Sequence, residues 1–489
     1  MTNVQPTNEA MPLLHVRAPV NKQAMIGVGA LLVMLTNAIV FLLPPLLPTI
    51  EHQYRLTTVA ETTWLYTGLT LGGGASFILL PRVADIHGDR TASVIASALL
   101  VVGATIPAVG DSYPALLIGS VIMGFGGAAQ LLPLGFLRRN LGDSGLTIAV
   151  AVLVIATGIG IVLGMIGGGY TVEHLSLRDV FIFLAAVSVA TTLIAFLAIP
   201  DAPPAEPTGR IGVLGTVWMI AWVAAILLAL TQGLVWGTGA LIPLVLGIAC
   251  GVAWMRVERR SRAAVFDATV LKAPFVVAAS VCVGLFAAVN AAFLLLLSAF
   301  AQVAPSTLPI GTGYGLGLSA LQTGLLMVPF ALTFLVGSVI ADGPANRGNG
   351  GPVLILGACI CIVGFGFLAF AHDRVWEYLV GAAVVGLGCS IGYAAGFTLV
   401  QLAVPETKAG MAAGVAGTAM AVGFAFGTAL VTGVLSASVL PVSGSTTEVA
   451  ASSLYGVSYW VAAVLAAFIV LTVTLARTRA KAHHHRQAR

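Results

Sequence analysis

Pro81-Arg82-Val83-Ala84-Asp85-Ile86-His87-Gly88-Asp89-Arg90 gathers two arginines, two aspartates and a histidine in a chain whose charged content is only 8%. Apolar runs flank it at 61–81 and 91–110. A bilayer core of roughly 30 Å takes about 20 apolar residues per helix. The stretch therefore reads as a hydrophilic turn joining two membrane crossings. Its outline recurs far down the chain. Ile340-Ala341-Asp342 is followed by Arg347 at the spacing that separates Asp85 from Arg90. Gly124-Phe125-Gly126 and Gly386-Leu387-Gly388 form another pair at nearly the same separation. Together the echoes imply two related halves, each a bundle of helices.

The rest of the composition agrees with a lipid solvent. The chain has 489 residues, 58% of them hydrophobic, whereas soluble domains carry about 25% charged residues. Apolar runs bounded by turn and charge signals predict fourteen spans: 23–46, 61–81, 91–110, 112–136, 144–169, 178–199, 211–231, 239–256, 272–301, 318–341, 351–372, 376–403, 409–436 and 455–477. A tight turn near Asp111 decides whether the third and fourth are separate.

Basic residues set the orientation, because Lys and Arg accumulate on the cytoplasmic side. With an even number of spans and both ends cytoplasmic, only Arg55, Arg178 and Arg374 fall outside, and the remaining 19 of the 22 basic residues fall inside. A miscounted helix would scramble that bias. The expectation is an all-α integral membrane protein of the plasma membrane. It divides into a cytoplasmic segment 1–22, a six-helix bundle 23–199, a unit 200–271, a second six-helix bundle 272–477 and a basic cytoplasmic tail 478–489. The middle unit holds a Pro-rich linker at 200–210, a two-helix hairpin and a basic connector at 256–272. No cleavable leader is expected in the polar first twenty residues.

Little chemistry is on offer. The five cysteines, Cys250, Cys282, Cys359, Cys361 and Cys389, all stand in apolar runs and read as small buried hydrophobes. No span holds an H-E-x-x-H, an aspartate pair or a histidine cluster, which argues against an intramembrane enzyme. His483, His484 and His485 belong to a solvated basic tail. No P-loop is present, so a self-contained ATP-driven pump is excluded. No cofactor, metal or nucleic acid is expected.

The segment 81–90 resembles the G-x-L-A-D-R-x-G-R-[RK] loop of the major facilitator superfamily, keeping Asp85, Gly88 and Arg90. A carboxylate at a helix end that pairs differently in two conformations can latch a rocking motion. Asp342 and Arg347 hold the corresponding positions in the second half. Gly160, Gly164, Gly168 and Gly169 resemble the glycine segment of antiporters in this superfamily, with Met165 at its proline position. Leu318–Pro329 and Val404–Val415 look like the openings of spans ten and thirteen in the fourteen-helix drug:proton antiporter family. Trp64 and Arg178 also sit at family positions. The resemblance covers nearly the whole chain.

The resemblance implies a major facilitator fold, two six-helix bundles plus an inserted hairpin, and a monomer. It also implies a central cavity lined by spans one, two, four, five, nine, ten, twelve and thirteen. Candidate cavity residues are Asn37, Phe41, Trp64, Tyr66, Gln130, Asn290, Phe293, Gln322, Tyr393 and Gln401. Buried amides must find partners in lipid, so Asn37, Gln130 and Asn290 should face protein or water. This sequence also departs from the family. Thr36 and Phe41 stand where the family has Asp and Asn, and Ser120 stands at its buried arginine. No acidic or basic residue falls near mid-membrane in any span, although an intramembrane charge is the usual proton carrier. Glu61, Asp85 and Asp342 are the available carboxylates, and Glu61 is the proton-coupling candidate. A cavity so poor in charge suits a lipophilic small molecule. The expectation is a secondary exporter working by alternating access with proton antiport. An uncoupled metabolite or lipid facilitator, or a membrane sensor that has lost transport, are the alternatives.

Overall fold

The computed structural model describes residues 21–56, 59–141, 143–201, 212–260, 274–308, 313–344, 350–404, 409–441 and 448–487. Most of the Pro-rich linker, the basic connector beyond Arg260, and Arg347 lie outside these residues.

The described chain is almost wholly helical. The first part holds α1 (Lys22–Tyr54), α2 (Val59–His87), α3 (Asp89–Val109), α4 (Tyr113–Gly126), α5 (Leu132–Asn140), α6 (Asp143–His174) and α7 (Leu177–Ala198). The hairpin is α8 (Val213–Trp236) and α9 (Leu241–Arg260). The last part holds α10 (Pro274–Ala301), α11 (Ala320–Leu325), α12 (Val328–Pro344), α13 (Gly350–Phe370), α14 (Val375–Leu402), α15 (Ala409–Leu435) and α16 (Ser452–Gln487). A two-stranded antiparallel ribbon, β1 (Val439–Pro441) and β2 (Glu448–Ala450), joins the last two helices. Among the described residues, thirteen helical stretches are long and apolar enough to cross a bilayer, and α8 adds a shorter apolar stretch, Leu214–Ala229, where the fourteenth span is expected.

Two expected spans are broken helices. Span four stops at Gly126, turns through a 3-10 segment at Gly127–Gln130 and resumes as α5. Pro133 in the first turn of α5 has no N–H to continue the ladder. Span ten begins as the short α11 and breaks before α12, where Pro329 likewise lacks a donor. The turn near Asp111 does separate spans three and four. Ser112 caps α4 by accepting the Ala115 N–H at 3.3 Å, and Asp111 accepts from Gln53 and the Tyr54 hydroxyl.

Small residues and prolines hold the helices together. In lipid there is no hydrophobic drive between helices, so close backbone approach and hydrogen bonds decide packing. The paired glycine motifs do equivalent work in the two halves. A side chain at Gly124 would stand 2.2 Å from the Leu69 carbonyl of α2, and one at Gly386 2.6 Å from the Phe330 carbonyl of α12. Gly126 meets Ala96 and Leu100 of α3, and Gly388 meets Gly357 and Cys361 of α13. In both halves, then, the fourth span seats on the second through one glycine and on the third through the next.

Proline inside a helix frees the carbonyl four residues earlier, and a neighbour covers it. Pro48 frees the Pro44 carbonyl, which accepts the Ser298 hydroxyl of α10 at 2.6 Å. Pro81 frees that of Phe77, which faces Gly414 of α15. Pro107 frees that of Gly103, against Gly119 of α4. The first two contacts join helices of opposite halves.

Candidate functional site

The seam between the first six and last six spans is where a carrier would hold its cargo. α2 lies along α15, α6 lies along α11 and α12, and α1 touches α10. Arg90 at the start of α3 and Arg256, Arg259 and Arg260 at the end of α9 make up the basic face.

The glycine segment of α6 works in two directions. Gly160, Gly164 and Gly168 form one groove, which seats α1. A side chain at Gly160 would lie 2.5 Å from the Met34 carbonyl, and one at Gly164 2.5 Å from that of Ala38. Gly169 points the other way, onto Leu321 of α11, and Gly324 of α11 packs on the Met165 carbonyl. α6 runs unbroken through Met165.

Aromatic rings cross the seam. Phe41 of α1 lies 6.5 Å, centroid to centroid, from Phe330 of α12, which stacks on Phe293 of α10 at 5.6 Å. Tyr66 of α2 faces Phe424 of α15 at 5.8 Å. Phe334 and Phe286 pack on Tyr393, which adjoins the Asn290 amide. Asn37 is buried and donates to its own helix, at the Val33 carbonyl.

The structure thus links Phe41, Phe293, half-buried Tyr393 and Asn290 through Phe330, Phe334 and Phe286, while Tyr66 meets Phe424 of the facing helix. The other expected cavity residues lie elsewhere. Trp64 packs on Trp236 at the end of α8. Gln322 is exposed and completes a capping box with Ser319. Gln130 is half-buried in the 3-10 break, and Gln401 half-buried in the last turn of α14. Glu61 is half-buried in the first turn of α2, and its carbonyl accepts the Tyr113 hydroxyl.

In the loop at 81–90, Gly88 has φ +91°, a conformation side chains disfavour, and its N–H closes α2 on the Ala84 carbonyl at 2.9 Å. Arg90 reaches the end of α7. Its guanidinium lies 4.1 Å from the centroid of Phe196 and 3.8 Å from the Asp201 carboxylate, at the end of α7. Asp342 falls in the last turns of α12.

Several seam residues escape sequence reasoning. Ser298, Thr418 and Phe330 carry no motif. Thr418 of α15 donates to the Gly74 carbonyl of α2 at 3.0 Å. Glu173, just past the apolar part of α6, accepts the Leu321 N–H at 2.9 Å. That bond and one from Ser319 hold its carboxyl below the usual carboxylate range. Glu258 is buried at the basic end of α9 against Gly215 of α8. Its only sequence signal is an acidic residue among arginines. Ser120 is buried on Gly68 and donates to the Leu117 carbonyl at 2.8 Å. It borders a small apolar pocket inside the first six spans, lined also by Ile39, Leu69, Met123 and Phe181.

Comparison with known proteins places this architecture. The chain is 25% identical over 388 residues to a probable actinorhodin transporter of Streptomyces coelicolor, covering 75% of this chain and 64% of that protein. It therefore spans less than two thirds of that relative's length. It is 26% identical over 418 residues to the multidrug efflux pump LfrA of Mycolicibacterium smegmatis, covering 83% and 79%. The crystal structure of the human organic anion transporter MFSD10 superposes with a TM-score of 0.64 at 13% identity, covering 93% of this chain and 99% of that one. That likeness concerns the fold. The family model described as Major Facilitator Superfamily matches residues 27–298, 203–428 and 291–489. This multi-pass membrane chain belongs to the Major Facilitator Superfamily.

Proposed function

We propose that the chain exports lipophilic small molecules across the plasma membrane by alternating access, with proton antiport. Residues 23–199 and 272–477 are the two rocking halves, both termini and the basic face are cytoplasmic, and the unit is a monomer. The observation that carries this reading is the chemistry of the seam. Phe41, Phe293, Phe330 and Phe424 line it, and no Asp, Glu, Lys or Arg stands among the rings described there. A sugar phosphate or dicarboxylate would need basic partners in such a place, whereas an apolar cargo needs only surface. The relatives named for multidrug efflux and actinorhodin transport are in keeping with export of such molecules.

Coupling is assigned to Glu61, half-buried at the start of α2 beside Tyr113 of α4. Asp85, Gly88 and Arg90, with Asp342 and Arg347 in the second half, form the conformational latches. In inverted membrane vesicles, uptake of a lipophilic dye should follow an imposed pH gradient and stop when the gradient is collapsed. Glu61→Gln should abolish gradient-driven uptake and leave dye exchange intact. Uptake that survives collapse of the gradient would overturn antiport.

A second reading, an uncoupled facilitator, is favoured by Ser120. The side chain there is neutral and already satisfied by the Leu117 carbonyl. Under that reading Glu61→Gln changes neither flux.

A further inference from the structure

Two polar atoms in the seam are buried and without a hydrogen-bond partner. They are the hydroxyl of Tyr66 and the Oδ1 of Asn290. Tyr66 is 2% exposed and Asn290 7%. Leaving such a group unsatisfied in a dry interior costs about 1–3 kcal/mol, so an orphan that a carrier retains calls for a ligand that satisfies it.

Their surroundings are aromatic. Tyr66 faces Phe424 across the seam, and Asn290 stands one helical turn from both Phe286 and Phe293 on α10. Phe293 stacks nearly parallel on Phe330, at 9° between planes, and Phe330 meets Phe41 of the opposite half. Rings from the two halves touch directly, so the seam described here is closed upon itself. Parting the halves separates Phe41 from Phe330 and Tyr66 from Phe424. Each separation exposes flat apolar faces with a polar atom nearby.

We propose that this layer is the collapsed form of a binding site for a neutral, planar aromatic molecule that carries hydrogen-bond donors such as phenolic hydroxyls. The cargo's rings take the place of the Phe41–Phe330 contact. One of its donors meets Asn290 Oδ1, which can only accept. The Tyr66 hydroxyl, donor and acceptor both, bonds to a carbonyl or hydroxyl at another edge. A quaternary or protonated cargo gains ring contacts but finds no carboxylate among the rings described here, so those contacts alone offset its dehydration. The inference rests on the export reading, and narrows it from lipophilic molecules in general to hydroxylated neutral ones.

The test is direct binding to the purified full chain in lipid nanodiscs, by equilibrium fluorescence quenching. Three planar probes are compared: luteolin, a hydroxylated flavone; unsubstituted flavone; and the cationic dye ethidium. Luteolin should bind about tenfold tighter than flavone, as one to two net hydrogen bonds would give. Asn290→Leu should weaken luteolin about threefold to tenfold and cut its preference over flavone, which has no donor for Oδ1, whereas Tyr66→Phe should weaken both flavones, since each offers the ring carbonyl. A size-exclusion profile and Tm like those of the native chain report that each variant is folded. Equal affinities for luteolin and flavone, or a luteolin preference untouched by Asn290→Leu, overturn the proposal. So does ethidium as the tightest of the three. Vesicle uptake of the same probes separates the two claims. Binding with the expected preference but without transport sinks the export reading alone. Transport of ethidium in preference to luteolin sinks this proposal and leaves export standing.

Discussion

Helices α9 and α10 are both apolar enough to cross a bilayer, yet 89% of the spanning stretch of α10 is buried within the protein, against 17% for α9. α10 presents small residues, Gly284, Ala287, Ala288, Ala291 and Ala292, and the facing glycines of α15 let the two backbones close on each other. α9 presents Ile242, Leu244, Val245, Leu246 and Ile248, all exposed. Hydropathy therefore marks both as spans, and residue size decides what each one faces. The chain places its small residues where protein meets protein and its branched aliphatic ones where protein meets lipid.

The hairpin is nevertheless attached, through α8. Val223 and Leu227 of α8 pack on Gly74 of α2, and Ala421 of α15 reaches the same glycine. Trp222 of α8 stacks on Trp254 of α9 at 5.2 Å and 7°. One face of α8 thus lies against both halves where they meet, and α9 packs beside it through the tryptophan stack.

The comparison breaks most sharply at the tightest approach. A side chain at Gly423 would fall 1.8 Å from the Gly284 carbonyl, with no flexible atom to yield. Gly423→Leu should remove folded protein from detergent extracts, because overpacking of a rigid contact costs about 1–3 kcal/mol or more. Size-exclusion recovery measures it. Leu246→Ala on the lipid face of α9 should leave recovery unchanged, within about 0.5 kcal/mol. Equal losses would mean that burial does not distinguish the two helices.

A smaller effect is expected where the hairpin joins itself. Trp254→Ala deletes the stacked ring and opens a gap beside Met219. Deleting a buried aromatic costs about 3–5 kcal/mol in water-soluble cores. Lipid can fill part of a gap so near the surface, so about half of that is expected, read as a lowered Tm. Tyr378→Phe is milder again. It removes one hydroxyl–hydroxyl bond, Tyr378 to Tyr459 at 2.8 Å beside the Phe300 end of α10. Hydrogen bonds between membrane helices average about 0.6 kcal/mol, a shift resolved by replicate thermal scans.

What was legible in the sequence follows the same physics. Crossing a bilayer demands a run of apolar residues, and such a run is local, so the spans at 23–46 and 61–81 are visible without a structure. Charge placement is also local and supports their number. The repeat showed through Gly124 and Gly386 because close packing tolerates only glycine at those sites. Contacts between distant helices leave no such trace. Nothing near Ser298 announces that Pro48 has freed the Pro44 carbonyl for it. The candidate site was half legible for that reason. Phe41, Tyr66 and Asn290 stand out as aromatic or polar residues in apolar runs, whereas Phe330 and Phe424 look like any lipid-facing phenylalanine until their partners are placed. Gln322 misleads in the opposite sense, since a glutamine three residues after a serine is as good a cap as a ligand contact.

The smallest expected effect concerns a contact that is neither buried in protein nor turned to lipid. Glu173 reaches from the end of α6 to the first turn of α11, where it accepts the Leu321 N–H. It acts as a helix cap supplied by the opposite half, at the positive end of the α11 backbone dipoles. Its carboxyl is held below the usual range by hydrogen bonds from Ser319 and Leu321, with a lesser contribution from His174. A depressed pKa in the folded chain means that the charged carboxylate stabilises the α6–α11 contact. That contribution is fully present above the ordinary carboxylate pKa and is lost as pH falls through the depressed one. Glu173→Gln keeps an acceptor for the N–H and removes the charge. The difference in Tm between the native chain and this variant should be small at neutral pH, since the site is open to solvent and screened. It should shrink further with added salt and vanish on acidification below the carboxylate range. A difference that persists in acid would assign the contact to shape rather than charge. The junction of α6 and α11 would then belong with the glycine packing of α10.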